Sequence, residues 1–528
     1  MKSTGFIILL VLSFTAKSQQ IIYSDPEKIY LSSATEVIGK VAENIFVCNR
    51  IKNKYELQIF DNDLKVKHKV DLNFIPAYTY RLNFINYVDR CLVVFQSVGI
   101  KKVLYTRIAS LDKDGQISGK IVDIDSITAS IYGGNELYNV TFSENKQHLL
   151  FSKNLMGIKP GKIQVDQIIL NNELKLEKNE NCFIPYESEQ LMSDLNIDDA
   201  GNIVFITYQQ ANGHDQNIKF YKLPFDAADI MIKDILIKEY ELTIPHIKIN
   251  NKKDLYYITS LYEDRLTKNV EGLLSVVLNN DLSDHNTPLA YSFSDTYQQK
   301  GKTKKARNPF DNYFIRDIVF REDGGFLIAG TTIKNDDVTN PSNPKLISMN
   351  DIYSTKSNIS NAPTRRGGVT YPTQNIAINY SFDPNNITAY NPSVNTVSSD
   401  NYYGNINPVS TSNAVYDVMI ISVDKNNHVI NTAKVNDKIT SDVKRFGFQK
   451  MNLGTEVYLL FNNMIKYNSF LLNSISIKTN GSIEPNPLFR NLDKGYTFLV
   501  ESGKQLDMST MIVPCEKNSK KAFALIRF

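Results

Sequence analysis

The chain of 528 residues contains no tryptophan, only four cysteines and only six histidines. Each shortage removes a class of chemistry. Cys48, Cys91, Cys182 and Cys515 never form a CxxC pair, which excludes a zinc ribbon. His68, His148, His214, His246, His285 and His428 stand apart from one another, with no HExxH and no other metal spacing. GxSxG, GxGxxG and P-loop patterns are missing, so neither an acyl nucleophile nor a phosphate cradle announces itself. No cofactor and no metal are expected. No run reaches the ~18 apolar residues of a spanning helix. An excess of one charge is lacking too. Fifty-nine Lys and Arg face 56 Asp and Glu, for a net charge of +3. Global charge therefore gives no reason to expect specific nucleic-acid binding, and any electrostatic argument has to be regional.

What the sequence does contain begins with MKSTGFIILLVLSFTAKSQQ. Lys2 precedes a short apolar run at 5–14, and Ala16 and Ser18 are small residues two apart. That is the pattern of a cleavable signal peptide over residues 1–18, with Gln19 as the new N-terminus. A buried N-terminal strand is the alternative. The reading predicts a secreted or periplasmic protein, monomeric, with residues 19–528 as the mature chain. Export permits disulfides. Three of the cysteines nevertheless sit inside apolar strand-like runs, which favours buried free thiols.

The mature part is rich in Tyr, Phe and β-branched residues and poor in long helical patterns, as an all-β chain is. A short motif recurs in it: FDNDLKV from Phe60, LDKDGQI from Leu111, LNNELKL from Leu170, LPFDAADI from Leu223, LNNDLSD from Leu278, VDKNNHV from Val423 and IKTNGSI from Ile477. Successive starts lie 51, 59, 53, 55, 145 and 54 residues apart, so one interval alone breaks the period. Each copy follows an alternating apolar strand and reads as a hairpin turn, where Asp and Asn bond their own backbone. Asp112 and Asp114 resemble part of an EF-hand loop, but the later ligands are wrong, and turn formation is the reading adopted. A second hairpin lies upstream of each copy, with following strands near Ile45, Cys91, Leu149, Ile203, Leu255, Phe326, Val457 and Met511. Each period thus holds four strands, here called A to D, with tight A–B and C–D turns.

Four antiparallel strands per ~50 residues resembles the β-propeller repeat proteins. The segment DGGFLIAG at 323–330 is similar to secreted propeller repeats, and no subfamily is indicated. The resemblance implies an all-β ring of eight four-stranded blades, seven being the alternative count. Two stacked β-sandwiches are the competing fold. The eighth repeat ends at its C strand, KAFALIRF. The alternating mature N-terminus, QQIIYSD, is expected to supply the missing D strand and close the ring, hiding two open edges.

In such blades the A–B and C–D turns share one end of the ring, and the B–C and D–A connections share the other. The long interval carries an Asn-rich insertion at 335–412 between a B and a C strand, on the second end. Lysines gather on connections assigned to that end: Arg50, Lys52 and Lys54; Lys101 and Lys102; Lys153, Lys159 and Lys162; Arg265 and Lys268; Lys517, Lys520 and Lys521. The densest run, at 300–307, holds Lys300, Lys302, Lys304, Lys305 and Arg307 with no acid. The insertion adds Arg365 and Arg366, and His214 lies in the fourth B–C connection. The expectation is a non-catalytic binding protein whose basic loop face takes a protein or glycan partner, anionic rather than neutral. Two other readings stand beside it: a polysaccharide-acting hydrolase or lyase with the insertion as lid, and a structural component of a cell-envelope assembly.

Overall fold

A computed structural model describes residues 20–293, 313–332, 418–435 and 448–528, apart from short stretches at 30–32, 52–53, 78, 100–102, 129–136, 187–189, 210–215, 238–239, 264–269, 287, 455, 467–468 and 487–493. The expected signal peptide and insertion lie outside the described residues.

Eight antiparallel sheets form eight blades of a β-propeller, not two sandwiches. Blade 1 runs Ser33–Val41, Asn44–Ile51, Lys54–Phe60, Val66–Asp71 as strands A to D, and every later blade repeats this meander. The eighth blade is composite. Its A strand is split between Thr497–Phe498 and Lys504–Asp507, its B and C strands are Thr510–Lys517 and Lys520–Arg527, and its fourth strand is Gln20–Tyr23. The N-terminal strand pairs in the register Gln20 with Arg527 through Tyr23 with Ala524. Ser24 extends the seam, its N–H donating to Phe523 O and its Oγ accepting from Phe523 N, both at 2.9 Å. Tyr23 also stacks on Tyr496, ring centroids 4.8 Å apart. The closure expected from QQIIYSD is the closure observed.

Strand periodicity explains why the ring needs all its members. Successive side chains point to opposite faces of a sheet. In the B strand of blade 1, Phe46 and Cys48 pack against blade 2, while Ile45 and Val47 pack against blade 8. Apolar clusters of this kind fill all eight junctions, and the last joins Val47 and Phe60 to Phe523 and Leu525. A fully buried Phe stabilises by about 1.5–3 kcal/mol, so a lone blade, with both faces wet, would forfeit most of its core. Outer strands are less buried, and several alternate exposed with half-buried residues, as in Val66–Asp71.

The recurring turn has one geometry. Asp61 Oδ1 accepts from the N–H groups of Asp63 and Lys65 at 2.9 Å each, and Asp112 Oδ1 does the same for Asp114 and Gln116. Asn171, Asp198 and Asp424 repeat the pattern. The fourth residue of each turn is left-handed: Leu64 at φ 58°, Gly115 at 75°, Leu174 at 64°, Gly201 at 85° and Asn427 at 66°. A leucine there costs roughly 1–2 kcal/mol in backbone energy. Leu64 offsets the cost by burial, with 2% of its surface exposed. Among the described residues no cluster of His, Cys, Asp or Glu could hold a metal. Asp112 and Asp114 are turn residues.

Candidate functional site

The described strands fix the sidedness of the connections. In blade 6 the B strand Phe326–Thr332 pairs directly with the C strand Val418–Val423, so the 335–412 insertion interrupts a B–C connection. Residues 300–307 join the D strand Leu289–Ser292 to the A strand Tyr313–Phe320, and residues 210–215 join the B strand Ile203–Gln209 to the C strand Gln216–Leu223. The flanking strands of all three end at one face, the loop face. Lys300, Lys302, Lys304, Lys305, Arg307, Arg365, Arg366 and His214 themselves lie outside the described residues, as do Lys52, Lys101, Lys102, Arg265 and Lys268.

Of the lysines assigned from sequence to this basic face, Lys153 lies elsewhere, and Lys521, at a loop-face strand end, is turned into the ring. Lys153 is inside a strand, because the B strand of blade 3 extends over His148–Lys159 and its turn comes later than the spacing suggested. It is buried, with Nζ 3.5 Å from both Asp125 and Asp166 and 4.4 Å from the Tyr138 ring centroid. Lys521 belongs to the ring seam. Its Nζ donates to Thr35 Oγ1 at 2.8 Å and Asn49 Oδ1 at 2.7 Å, tying blade 8 to blade 1. Desolvation lowers its pKa, with Glu27 working against that. Exposed cations at described loop-face connections and strand ends include Lys28, Lys54, Lys159, Lys162, Lys494, Lys517 and Lys520.

A set of charged groups that sequence reading missed lies along the innermost strands, between neighbouring blades. Glu36 stands in blade 1, Arg81 in blade 2, Asp194 in blade 4, His246 and Lys248 in blade 5, Arg316 and Asp317 in blade 6, Lys450 in blade 7, and Glu501 and Lys504 in blade 8. Several stitch blades together. Lys450 Nζ is 2.6 Å and Lys248 Nζ 3.8 Å from the Asp317 carboxylate, and Arg316 is 3.5 Å from Glu501. Arg81 Nη1 donates to Tyr138 O at 2.7 Å and Asn139 Oδ1 at 2.6 Å. Six of the eight inner strands carry a bulge or a break, where the regular alternation of side chains is interrupted. Burial dominates the titration of these groups. It pushes Asp194 up to about 6 despite the Arg81 charge, and His246 down to about 4, with Arg316 adding to the effect.

Where the inner strand of blade 1 meets blade 2, a narrow pocket opens. Thr35, Glu36, Cys48, Arg50, Tyr55 and Thr79 are among its lining residues. All lie near loop-face strand ends: the start of A, the end of B, the start of C and the start of the next A. No hydrogen-bond donor among the described residues reaches the Glu36 carboxyl. Desolvation raises it to about 7, with Lys504 on the inner strand of blade 8 pulling the other way. Burial also pushes the Cys48 thiol well up and Cys91 to about 12, so neither is a nucleophile at neutral pH. All four cysteines are free, and three are buried.

No protein-family model and no curated protein matches the chain. Solved structures resemble it only weakly. One is a prolyl endopeptidase with 8% identity and a TM-score of 0.40, matched over 93% of this chain and 55% of its own. Another is the WD40 domain of SCAP from fission yeast, at 7% identity and 0.39, over 97% and 94%. Prolyl oligopeptidase B from Galerina marginata matches at 9% identity and 0.36, over 99% and 57%. The chain spans little more than half the length of the two peptidases. Likenesses this weak carry no argument about this chain, whose fold rests on its own sheet topology.

Proposed function

We propose that this propeller is an exported binding protein that takes an acidic macromolecule or glycan on its loop face. One observation carries the reading. The described strands that flank the lysine-bearing connections and the insertion end at the same face of the ring, which supports a common basic face. Cations gathered at one end raise the local concentration of an anionic partner, and the effect weakens with salt. Lys300, Lys302, Lys304, Lys305 and Arg307 are the proposed contacts, with Arg365, Arg366 and His214 on the neighbouring connections. The test is retention on immobilised polygalacturonate, with dextran as the neutral control. Wild-type retention should fall as salt rises, and replacing the five cations at 300–307 by Ser should reduce it without changing the melting temperature. Unchanged retention defeats the assignment. Export is tested by sequencing the mature N-terminus, expected at Gln19.

A second reading, hydrolysis or lysis of a polysaccharide at the axis, draws on Glu36 and Asp194, whose carboxyl groups both titrate toward neutrality, as catalytic acids do. Appearance of new sugar ends that is abolished in both Glu36→Gln and Asp194→Asn would favour it over binding alone.

A further inference from the structure

We infer that the loop-face end of the ring-closing seam binds an acidic polysaccharide through a row of three lysines, Lys517, Lys520 and Lys28, with Lys494 beside it, and that occupying this site holds the ring shut. The inference rests on the loop-face reading and deepens it, placing one subsite and coupling it to closure.

Strand register brings the lysines together. The B–C hairpin of blade 8 turns through Asn518 and Ser519, both left-handed at φ 51° and 59°, as the centre of a type I′ turn is. That sets Lys517 directly opposite Lys520. On the other side of the same C strand, the short strand Glu27–Lys28 pairs with Lys28 directly opposite Lys520. Ile29 N–H fixes this pairing by donating to Ser519 O at 3.2 Å. Directly opposed residues share a sheet face and stand about 5 Å apart from strand to strand. Three adjacent strands therefore present three lysines in one row. Opposed like charges destabilise a sheet. The next row inward, on the other sheet face, avoids that cost, because Glu516, Lys521 and Glu27 alternate in sign. Glu27 is also engaged by Lys69 at 3.1 Å and Gln58 at 3.0 Å. The lysine row holds no acid. Lys28, Lys494, Lys517 and Lys520 are exposed, and none is in an ion pair among the described residues. Lys517 Nζ donates to Lys494 O at 2.5 Å and stands 5.4 Å from the Tyr496 ring centroid, while Lys494 Nζ stands 5.3 Å from that of Tyr23. These contacts hold both ammonium groups beside the row. Cations in series call for anions in series, and a single carboxylate cannot span the row. The half-exposed rings of Tyr23 and Tyr496 add an apolar side that suits sugar rings, which favours an acidic polysaccharide over an acidic peptide.

Lys28 comes from the N-terminal segment and the other lysines from the last blade, so the row exists only in the closed ring. A ligand bound to it opposes opening of the seam by mass action. The experiment combines polygalacturonate affinity with amide exchange of the full chain. At a polygalacturonate concentration of about ten Kd, exchange in Lys520–Arg527 should slow about tenfold, and exchange in Val270–Asn279 of blade 5 should not change. Two triple variants locate the site. Replacing Lys28, Lys517 and Lys520 by Ser should weaken binding about fivefold or more, and replacing Lys54, Lys159 and Lys162, exposed elsewhere on the loop face, should weaken it less. Lys520→Glu gives the row alternating signs. It should raise the urea midpoint without ligand and abolish the slowing of exchange with it. A midpoint no higher than wild type overturns the claim that the row stands against repulsion. Equal slowing in both blades overturns the coupling to closure. Equal losses from the two triple variants, or none from the first, overturn the site and leave the loop-face reading standing. Wild-type binding that is absent or insensitive to salt defeats the loop-face reading and the site with it. Poly-L-glutamate bound as tightly as polygalacturonate overturns the polysaccharide part.

Discussion

Replacing Glu36 by Gln should reshape the pH dependence of stability in a direction fixed by the fold. A glutamate in the unfolded chain titrates near 4.5, and burial moves Glu36 to about 7 in the ring. Below the lower value both states hold the proton and the residue is neutral to stability. Between the two values the unfolded chain gives up its proton while the folded carboxyl keeps it, so stability declines as pH rises. Above about 7 the folded group ionises as well, and the loss levels off at roughly 3 kcal/mol. The opposing pull of Lys504 is already contained in that figure. Asp194, raised to about 6 beside Arg81, declines over a similar window, so wild type alone does not isolate Glu36. The difference between wild type and Glu36→Gln does, because any constant effect of the substitution cancels. Urea unfolding followed by far-UV circular dichroism from about pH 4 to about pH 8.5 measures it. The variant should gain roughly 3 kcal/mol on wild type between the two ends. A difference that stays constant with pH would refute the claim that desolvation raises the Glu36 carboxyl in the folded ring.

Other substitutions probe the packing. Gly115→Ala places a Cβ 2.7 Å from Leu57 Cδ2 in a residue with φ of 75°, and should cost about 2 kcal/mol in urea unfolding through the blade 1–2 junction. Lys153→Ala leaves Asp125 and Asp166 without their shared cation and should cost about 2 kcal/mol, below a fully dry pair because both carboxylates keep some water. Ile22→Asp puts a charge into the strand that closes the ring. It should lower the urea midpoint and speed amide exchange in Lys520–Arg527 before other blades.

The architecture was legible because its signals are local. Asp61 and Asp112 bond their own turns whatever surrounds them, so FDNDLKV and LDKDGQI mark hairpins without reference to the rest of the chain. The unpaired C strand at one terminus and the alternating QQIIYSD at the other left a single economical pairing, now observed between Ile22 and Leu525. The axial charges were not legible in the same way. Glu36 in TEVIGK and Lys450 in FQKMN look like solvent-facing positions of half-buried strands. Their meeting depends on eight inner strands converging on an axis, which no single strand encodes. Aligning the strand that precedes each A–B turn would have exposed the recurrence of a charge there. Lys153 went astray because hairpin length is set by pairing with the neighbouring strand, not by the run of polar residues that appears to end it.

The sidedness of binding is the claim on which the rest depends, and a two-face comparison tests it most directly. Lys494, Lys517 and Lys520 are exposed at the loop face, while Lys65, Lys175 and Lys425 are exposed at the turn face. Affinity for polygalacturonate should be measured for two triple variants, each with one set replaced by Ser. The account predicts a salt-sensitive loss of binding for the loop-face set and wild-type affinity for the turn-face set. Equal losses from both, or a loss from the turn-face set alone, would contradict it.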